Sequence, residues 1–143
     1  IIPTIKKFRH ESFTNPQILF DTVAADGLTA HQVSEGTLLV LGLLTALYSP
    51  DPPDLFLLDD LDRGLHPKAQ KELIYLLREV LKTNPKIQIL ATTHSPYMLD
   101  WMQPQEVRMT FLRDDGVTVC APLKSHPKFS KWKDEMTPGE MWS

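Results

Sequence analysis

The sequence predicts an α/β fold, with a parallel sheet flanked by helices and a β-hairpin towards the C-terminal end. Three observations carry that expectation. Leu55-Phe56-Leu57-Leu58 is a short, wholly apolar run between turn signals, the pattern of a strand buried on both faces. From Pro67 to about Lys82 apolar and charged residues alternate at helical spacing, and Ile87 to Ala91 is a second short apolar run. A strand, a crossover helix and a strand make a right-handed βαβ unit, so these two strands should be parallel.

Taken in order, Ile5 to Phe8 and Ile18 to Val23 are strand candidates on either side of a Thr14-Asn15-Pro16 turn signal. Asp26-Gly27 marks a tight turn. Thr37 to Tyr48 is apolar nearly all round, which predicts a helix buried on most of its surface. Ser34 stands ahead of it, where a hydroxyl can cap free N–H groups. Gly42 inside this helix costs about 1 kcal/mol against alanine, so close packing against a neighbour is expected there. Ser49-Pro50-Asp51-Pro52-Pro53 stops the helix and feeds the Leu55 strand.

Pro67 suits the first position of the crossover helix. Ala69, Leu73, Ile74, Leu77, Val80 and Leu81 line one side of that helix. Lys68, Lys71, Glu72, Arg78, Glu79 and Lys82 line the other, and Asn84-Pro85 ends it. Tyr97 to Met102 reads as a short helix or turn. Glu106 to Leu112 and Val117 to Ala121 flank Asp114-Asp115-Gly116, a hairpin signature. The polar tail from Lys124 suggests a helix around Lys128 to Glu135 and then a loose end.

At 143 residues, 42% apolar and 23% charged, the chain is long enough for one domain with a core. A net charge of -3 carries no signature of a nucleic-acid binder. The single cysteine, Cys120, cannot form an internal disulfide, and a cytoplasmic location is the expectation. The longest apolar run, Leu38 to Ala46, falls far short of a membrane span, so no membrane partner is expected. Ile1 stands where a start methionine would, which suggests a single-domain piece of a longer protein.

The chemistry gathers at the strand ends. Asp59-Asp60-Leu61-Asp62 follows the Leu55 strand directly. Adjacent carboxylates there repel each other and lose hydration, which is expensive unless a cation or a phosphate–metal complex lies nearby. Ligands of open α/β sheets bind outside the carboxyl ends of the strands. Asp59 suits a magnesium ligand, through water, and Asp60 stands where a base or water-orienting group would. The same acids would also serve as caps of the following turn. Asp60-x-Asp62 could alternatively form a metal pair of nuclease type, although no third acid lies in a matching context. Ser34-Glu35-Gly36-Thr37 offers a hydroxyl, a glycine that admits close approach and a helix N-terminus, the parts of a phosphate-binding end or of a plain cap. His94 follows the second strand in Thr92-Thr93-His94-Ser95-Pro96.

In that order the set resembles the C-terminal half of an ABC-type ATPase domain, a partial P-loop NTPase fold. Ser34-Glu35-Gly36-Thr37 resembles the signature motif and Leu55 to Asp60 the Walker B strand. Leu61 to His66 resembles the D-loop region, and His94 the switch histidine. Gly64-Leu65-His66-Pro67 and Thr92 to Pro96 are most similar to OLD and RecF-like ATPases, a soluble branch with SMC-type relatives. The resemblance covers Gln32 to Leu99, and Met136 to Trp142 is a less specific match to the tail of such proteins.

It implies ATP and Mg2+ as cofactors and a head-to-tail homodimer closed over nucleotide. Ser34, Glu35, Gly36 and Thr37 would then meet the γ-phosphate bound to a second subunit, and Asp59 would hold magnesium. Asp60 would orient water, His94 would sense the γ-phosphate, and Gly64 and His66 would report across the dimer. DNA and an effector nuclease are partners by the same analogy, in repair, DNA maintenance or anti-phage defence. Two departures from the family's pattern matter most. Asp60 occupies the place of a glutamate, which leaves room for a catalytically weak, nucleotide-dependent dimerisation module. No Gly-x-x-x-x-Gly-Lys-Ser/Thr occurs either, so that phosphate loop is expected upstream of Ile1 or in a partner, or has been lost. The family's glutamine loop also finds no match, because Gln17 and Gln32 stand in other contexts.

Overall fold

The computed structural model describes residues 5–11 and 17–142, and the chain divides into two compact units, Ile1–Thr92 and Thr93–Ser143. The Thr14-Asn15-Pro16 turn signal lies outside the described residues.

The first unit opens with an antiparallel pair, β1 (Ile5–Glu11) and β2 (Gln17–Thr22), with Phe8 opposite Phe20. Phe20 is fully buried. The chain folds back after β2 so that Leu28 and Phe20 exchange backbone hydrogen bonds of 2.8 and 3.0 Å. Gly27 makes that return at φ 71°, in the left-handed region that glycine enters without steric cost. Both Asp21 oxygens accept from the Arg9 guanidinium at 2.9 Å, and the Gly27 N–H donates to one of them. These bonds, led by Arg9, hold the Asp21 carboxyl below its ordinary range.

α1 spans Glu35–Leu47, and its N-cap is Ser34, whose hydroxyl accepts from the Thr37 N–H. The helix buries Gly36, Val40, Leu43 and Leu47, and apart from exposed Glu35, Gly42 and Thr45 its other residues are half-buried. Gly42 is exposed, and a side chain there would meet nothing within 4 Å, so the close packing expected of it is absent among the described residues.

β3 (Leu55–Leu58) and β4 (Gln88–Ala91) pair in parallel from Leu55 opposite Gln88 to Leu58 opposite Ala91. The crossover is α2 (Pro67–Thr83), with His66 as its N-cap. α2 buries Leu73, Ile74, Leu77 and Val80 on one stripe, while Ala69 and Leu81 on that side stay half-buried. Gln70 is buried as well, its amide donating to the Leu65 carbonyl at 2.9 Å. The expectation of a strand buried on both faces is corrected. Phe56 is buried, but Leu55, Leu57 and Leu90 are 51%, 69% and 62% exposed. Alternate residues of a strand point to opposite faces, so Leu55, Leu57 and their neighbour Leu90 form one bare apolar face.

The second unit holds α3 (Pro96–Leu99), the hairpin β5 (Arg108–Leu112) and β6 (Thr118–Pro122), and two short helices, α4 (Phe129–Trp132) and α5 (Pro138–Trp142). Gly116 turns the hairpin at φ 80°. Met98, Val107 and Leu123 are its buried apolar residues, with Leu123 bonded to the Val107 carbonyl. The tail is not a loose end. Asp100 takes the Thr137 hydroxyl at 2.5 Å and the Gly139 N–H at 3.2 Å, which caps α5 from α3. Thr137 and Glu140 add a reciprocal box, each side chain bonding the other's backbone N–H.

Candidate functional site

The acidic end of β3 is built by the register of the parallel pair. Because Leu58 faces Ala91, the next residues, Asp59 and Thr92, come side by side. The Thr92 hydroxyl donates to Asp59 Oδ1 at 2.6 Å and accepts the Asp60 N–H at 2.9 Å. The Thr92 backbone closes the same end, its N–H on the Leu58 carbonyl at 2.9 Å and its carbonyl on the Leu61 N–H at 3.0 Å. Asp60 sits at φ 49°, the one positive φ among the described non-glycine residues. Aspartate tolerates this region better than most residues, yet such a backbone persists only when its surroundings hold it. Here Thr92 and the buried Leu61 do so.

From Asp60 the chain makes two successive tight turns, with Arg63 N–H on the Asp60 carbonyl and Leu65 N–H on that of Asp62. They deliver Gly64, at φ 67°, against the start of α1. The contact is backbone on backbone. A Cβ on Gly36 would lie 2.4 Å from the Gly64 oxygen, and one on Gly64 would lie 2.8 Å from the Gly36 nitrogen. Beside it, Arg63 pairs with Glu35 at 2.9 Å, both well exposed. Ser34 and Thr37 share a 2.8 Å hydroxyl–hydroxyl hydrogen bond at the same helix end. An apolar cavity of about 310 Å³, between Leu39, Leu43 and Ala46 of α1 and Phe56 and Leu58 of β3, reaches Asp59.

The structure therefore joins two groups of the residues singled out in the sequence. Asp59 and Asp60 share one strand end, and Ser34, Glu35, Gly36 and Thr37 meet Gly64 through the loop that leaves it. His66 caps α2, its Nδ1 accepting the Lys68 N–H at 3.3 Å. His94 is exposed and belongs to the second unit. Sequence reasoning passed over Thr92. It lies in the quoted Thr92 to Pro96 segment, but only the strand register shows that it faces Asp59.

Residues 5–100 match the family described as "AAA domain, putative AbiEii toxin, Type IV TA system". The chain belongs to this family. Among curated proteins, this AAA-family chain is 51% identical over 49 residues to "Septu protein PtuA" of Bacillus thuringiensis, covering 34% of the chain. It is 28% identical over 117 residues to "Retron Ec83 probable ATPase" of Escherichia coli, covering 73% of the chain. The chain spans 12% and 20% of the length of these two relatives.

Solved structures share the fold of this AAA-family chain. One, described as "Structural biochemistry of ATP-driven dimerization and DNA stimulated activation of SMC ATPases", matches at TM-score 0.63 with 19% identity. It covers 91% of this chain and 82% of that one. The "SMC head domain from Thermotoga maritima" matches at TM-score 0.53 with 20% identity, over 80% of this chain and 41% of that one. The AAA-family chain thus shares its mixed α/β fold, a partial P-loop NTPase fold, with SMC ATPase heads.

Adjacent carboxylates at a strand end are a donor set that would suit a nucleotide-bound magnesium ion. No group of three or more His, Cys, Asp or Glu that could hold a metal occurs among the described residues. Mg2+ bound with nucleotide needs only one or two carboxylates, its other ligands being phosphate oxygens and water. Asp59, exposed and with Oδ1 held by Thr92, is a carboxylate that would fit such a site. No described helix is long and apolar enough to cross a membrane.

Proposed function

We propose that this chain is the C-terminal part of an ATPase domain that hydrolyses ATP as a head-to-tail homodimer. The observation that carries the reading is the acid pair at the carboxyl end of a parallel strand, with Asp60 held at positive φ. In this reading Asp59 binds Mg2+, and Asp60 accepts a proton from, or orients, the attacking water. Mg2+ supplies neutralisation of the charge that develops on the transferred phosphoryl group. Ser34, Glu35, Gly36 and Thr37 present the positive end of α1 to the γ-phosphate held by the other subunit. His94 reads the same phosphate, while Gly64 and His66 lie on the segment that communicates across the interface. Catalysis is then positioning and electrostatics, with nucleotide as the adhesive between subunits.

The chain supplies the signature, Walker B, D-loop and switch segments, and the phosphate-cradling loop comes from elsewhere in the intact protein. The bare face of Leu55, Leu57 and Leu90 supports this, because parallel sheets are covered on both faces. Covering each leucine would contribute roughly 1.5–3 kcal/mol. Coupling to DNA, with an effector nuclease as partner and a cytoplasmic location, is carried by family resemblance. The test uses the intact protein. ATP turnover together with ATP-dependent dimerisation in sedimentation velocity supports the reading, and the absence of both sinks it.

A second reading, in which nucleotide acts mainly as a dimerisation switch, is favoured by Asp60 itself. A carboxylate one methylene shorter than the glutamate of the resemblance reaches less far towards water. Its short side chain also suits the left-handed backbone. Asp60→Glu discriminates the two. Turnover that rises at least tenfold marks the wild type as a switch, and turnover that is unchanged or falls marks aspartate as the working base.

A further inference from the structure

We infer that Thr92 is a positioning residue for the metal–nucleotide site. It aims the Asp59 carboxylate and fixes the Asp60 backbone through one hydroxyl. The inference rests on the ATPase reading above and concerns a residue to which that reading gives no role. The hydroxyl forms a directed chain: Asp60 N–H donates to Thr92 Oγ1 at 2.9 Å, and Thr92 O–H donates to Asp59 Oδ1 at 2.6 Å. The direction is forced, because a backbone N–H can only donate and an ionised carboxylate can only accept. Donors and acceptors linked in this way polarise one another, and a bond to a carboxylate is among the stronger kinds.

One consequence is geometric. With Oδ1 occupied, Asp59 turns about its side-chain torsions less freely, and Oδ2 is the oxygen left for a metal or its water. Groups that hold a metal ligand from behind in this way matter about 10–100-fold in metal affinity. The other consequence concerns the backbone. Asp60 would leave φ 49° more readily if its N–H lost this partner, since the left-handed conformation is sterically disfavoured. Thr92 thus couples the aim of one acid to the placement of the other. A plain structural threonine in a sheet would not need this geometry. Thr92 lies just past the end of β4, is exposed, and covers no core.

The experiment compares intact wild-type protein with Thr92→Val, which keeps the shape and removes the hydroxyl, and Thr92→Ser, which restores it. Mn2+ binding in the presence of ADP is followed by electron paramagnetic resonance, with thermal unfolding of the metal-free proteins alongside. The expected result is a 10–100-fold weaker Mn2+ affinity in Thr92→Val, recovery to within a few-fold in Thr92→Ser, and nearly unchanged unfolding. Equal Mn2+ affinity in all three proteins overturns the inference and leaves the ATPase reading standing. Equal loss in both variants also overturns it, because the hydroxyl would then not be the active element. A wild-type protein that binds no Mn2+–ADP overturns the ATPase reading and this inference with it. Should Thr92→Val fail to fold, Thr92→Ala at this exposed position takes its place with the same criteria.

Discussion

The loop that leaves β3 begins and ends in the same backbone region, yet its two ends are held there by different physics. At Asp60, φ is 49° and hydrogen bonding does the holding, through the Thr92 hydroxyl. At Gly64, φ is 67° and steric contact does it, with the Gly36 backbone where a side chain would be. The first end accepts any residue that tolerates the conformation but depends on chemistry supplied from a neighbouring strand. The second accepts almost nothing but glycine, at either of two positions 28 residues apart in the chain. Proposed function and shape are thus separated by four residues, and substitutions should separate them as well.

The largest effect is expected at Asp60. Asparagine also suits the left-handed region, so Asp60→Asn removes the charge while leaving the backbone in place. Turnover of the intact protein should fall about 10²–10⁴-fold, with the melting temperature almost unmoved. A lower melting temperature with intact turnover would reverse the assignment of the two ends. Gly36→Ala comes next, since its Cβ would press on the Gly64 backbone, which has no flexible end to yield. A loss of about 1–3 kcal/mol in denaturant unfolding is expected, with ATP-dependent dimerisation weakened. Gly64→Ala should cost a similar or slightly smaller amount, about 1–2 kcal/mol for the conformation alone. Combined with Gly36→Ala it should cost less than the sum, because both break one contact. A fully additive double variant would show that the glycines act separately. The smallest effect belongs to Arg63→Gln. The Arg63–Glu35 pair is 64% and 61% exposed, so its loss should change stability by less than about 1 kcal/mol, and less again in high salt.

Much of this region was legible in the sequence, for identifiable reasons. The βαβ unit follows from an apolar run, an amphipathic stretch and another apolar run, all local signals, and its parallel pairing follows from handedness. Ser34 and Pro67 are where capping chemistry places them. Register is not local, and Thr92 went unnoticed for that reason, although it lies two residues before a histidine that was singled out. Burial of the Leu55 to Leu58 run was misread because hydrophobicity states what a strand needs covered. It does not state what covers it, and Leu57 stands 69% exposed. Gly42 shows the same limit, since a glycine in a helix is no proof of a close neighbour. The tail is a more instructive miss. Thr137 and Glu140 carry a readable capping signal, and Asp100, 37 residues upstream of Thr137, supplies the other half. The near half was available and the far half was not.

The shared hydroxyl bond between Ser34 and Thr37 has a consequence for reversibility. Each hydroxyl already has a partner, so under the proposed function an arriving phosphate would exchange one bond for another rather than fill a vacancy. The net gain of such an exchange is small, about 0.5–1.5 kcal/mol per bond. Grip at this helix end would then come mainly from charge meeting the helix dipole, and it fades as soon as that charge departs. Under the proposed function the hydroxyl pair would work as a placeholder, keeping the surface satisfied between encounters and letting go of a spent ligand without penalty.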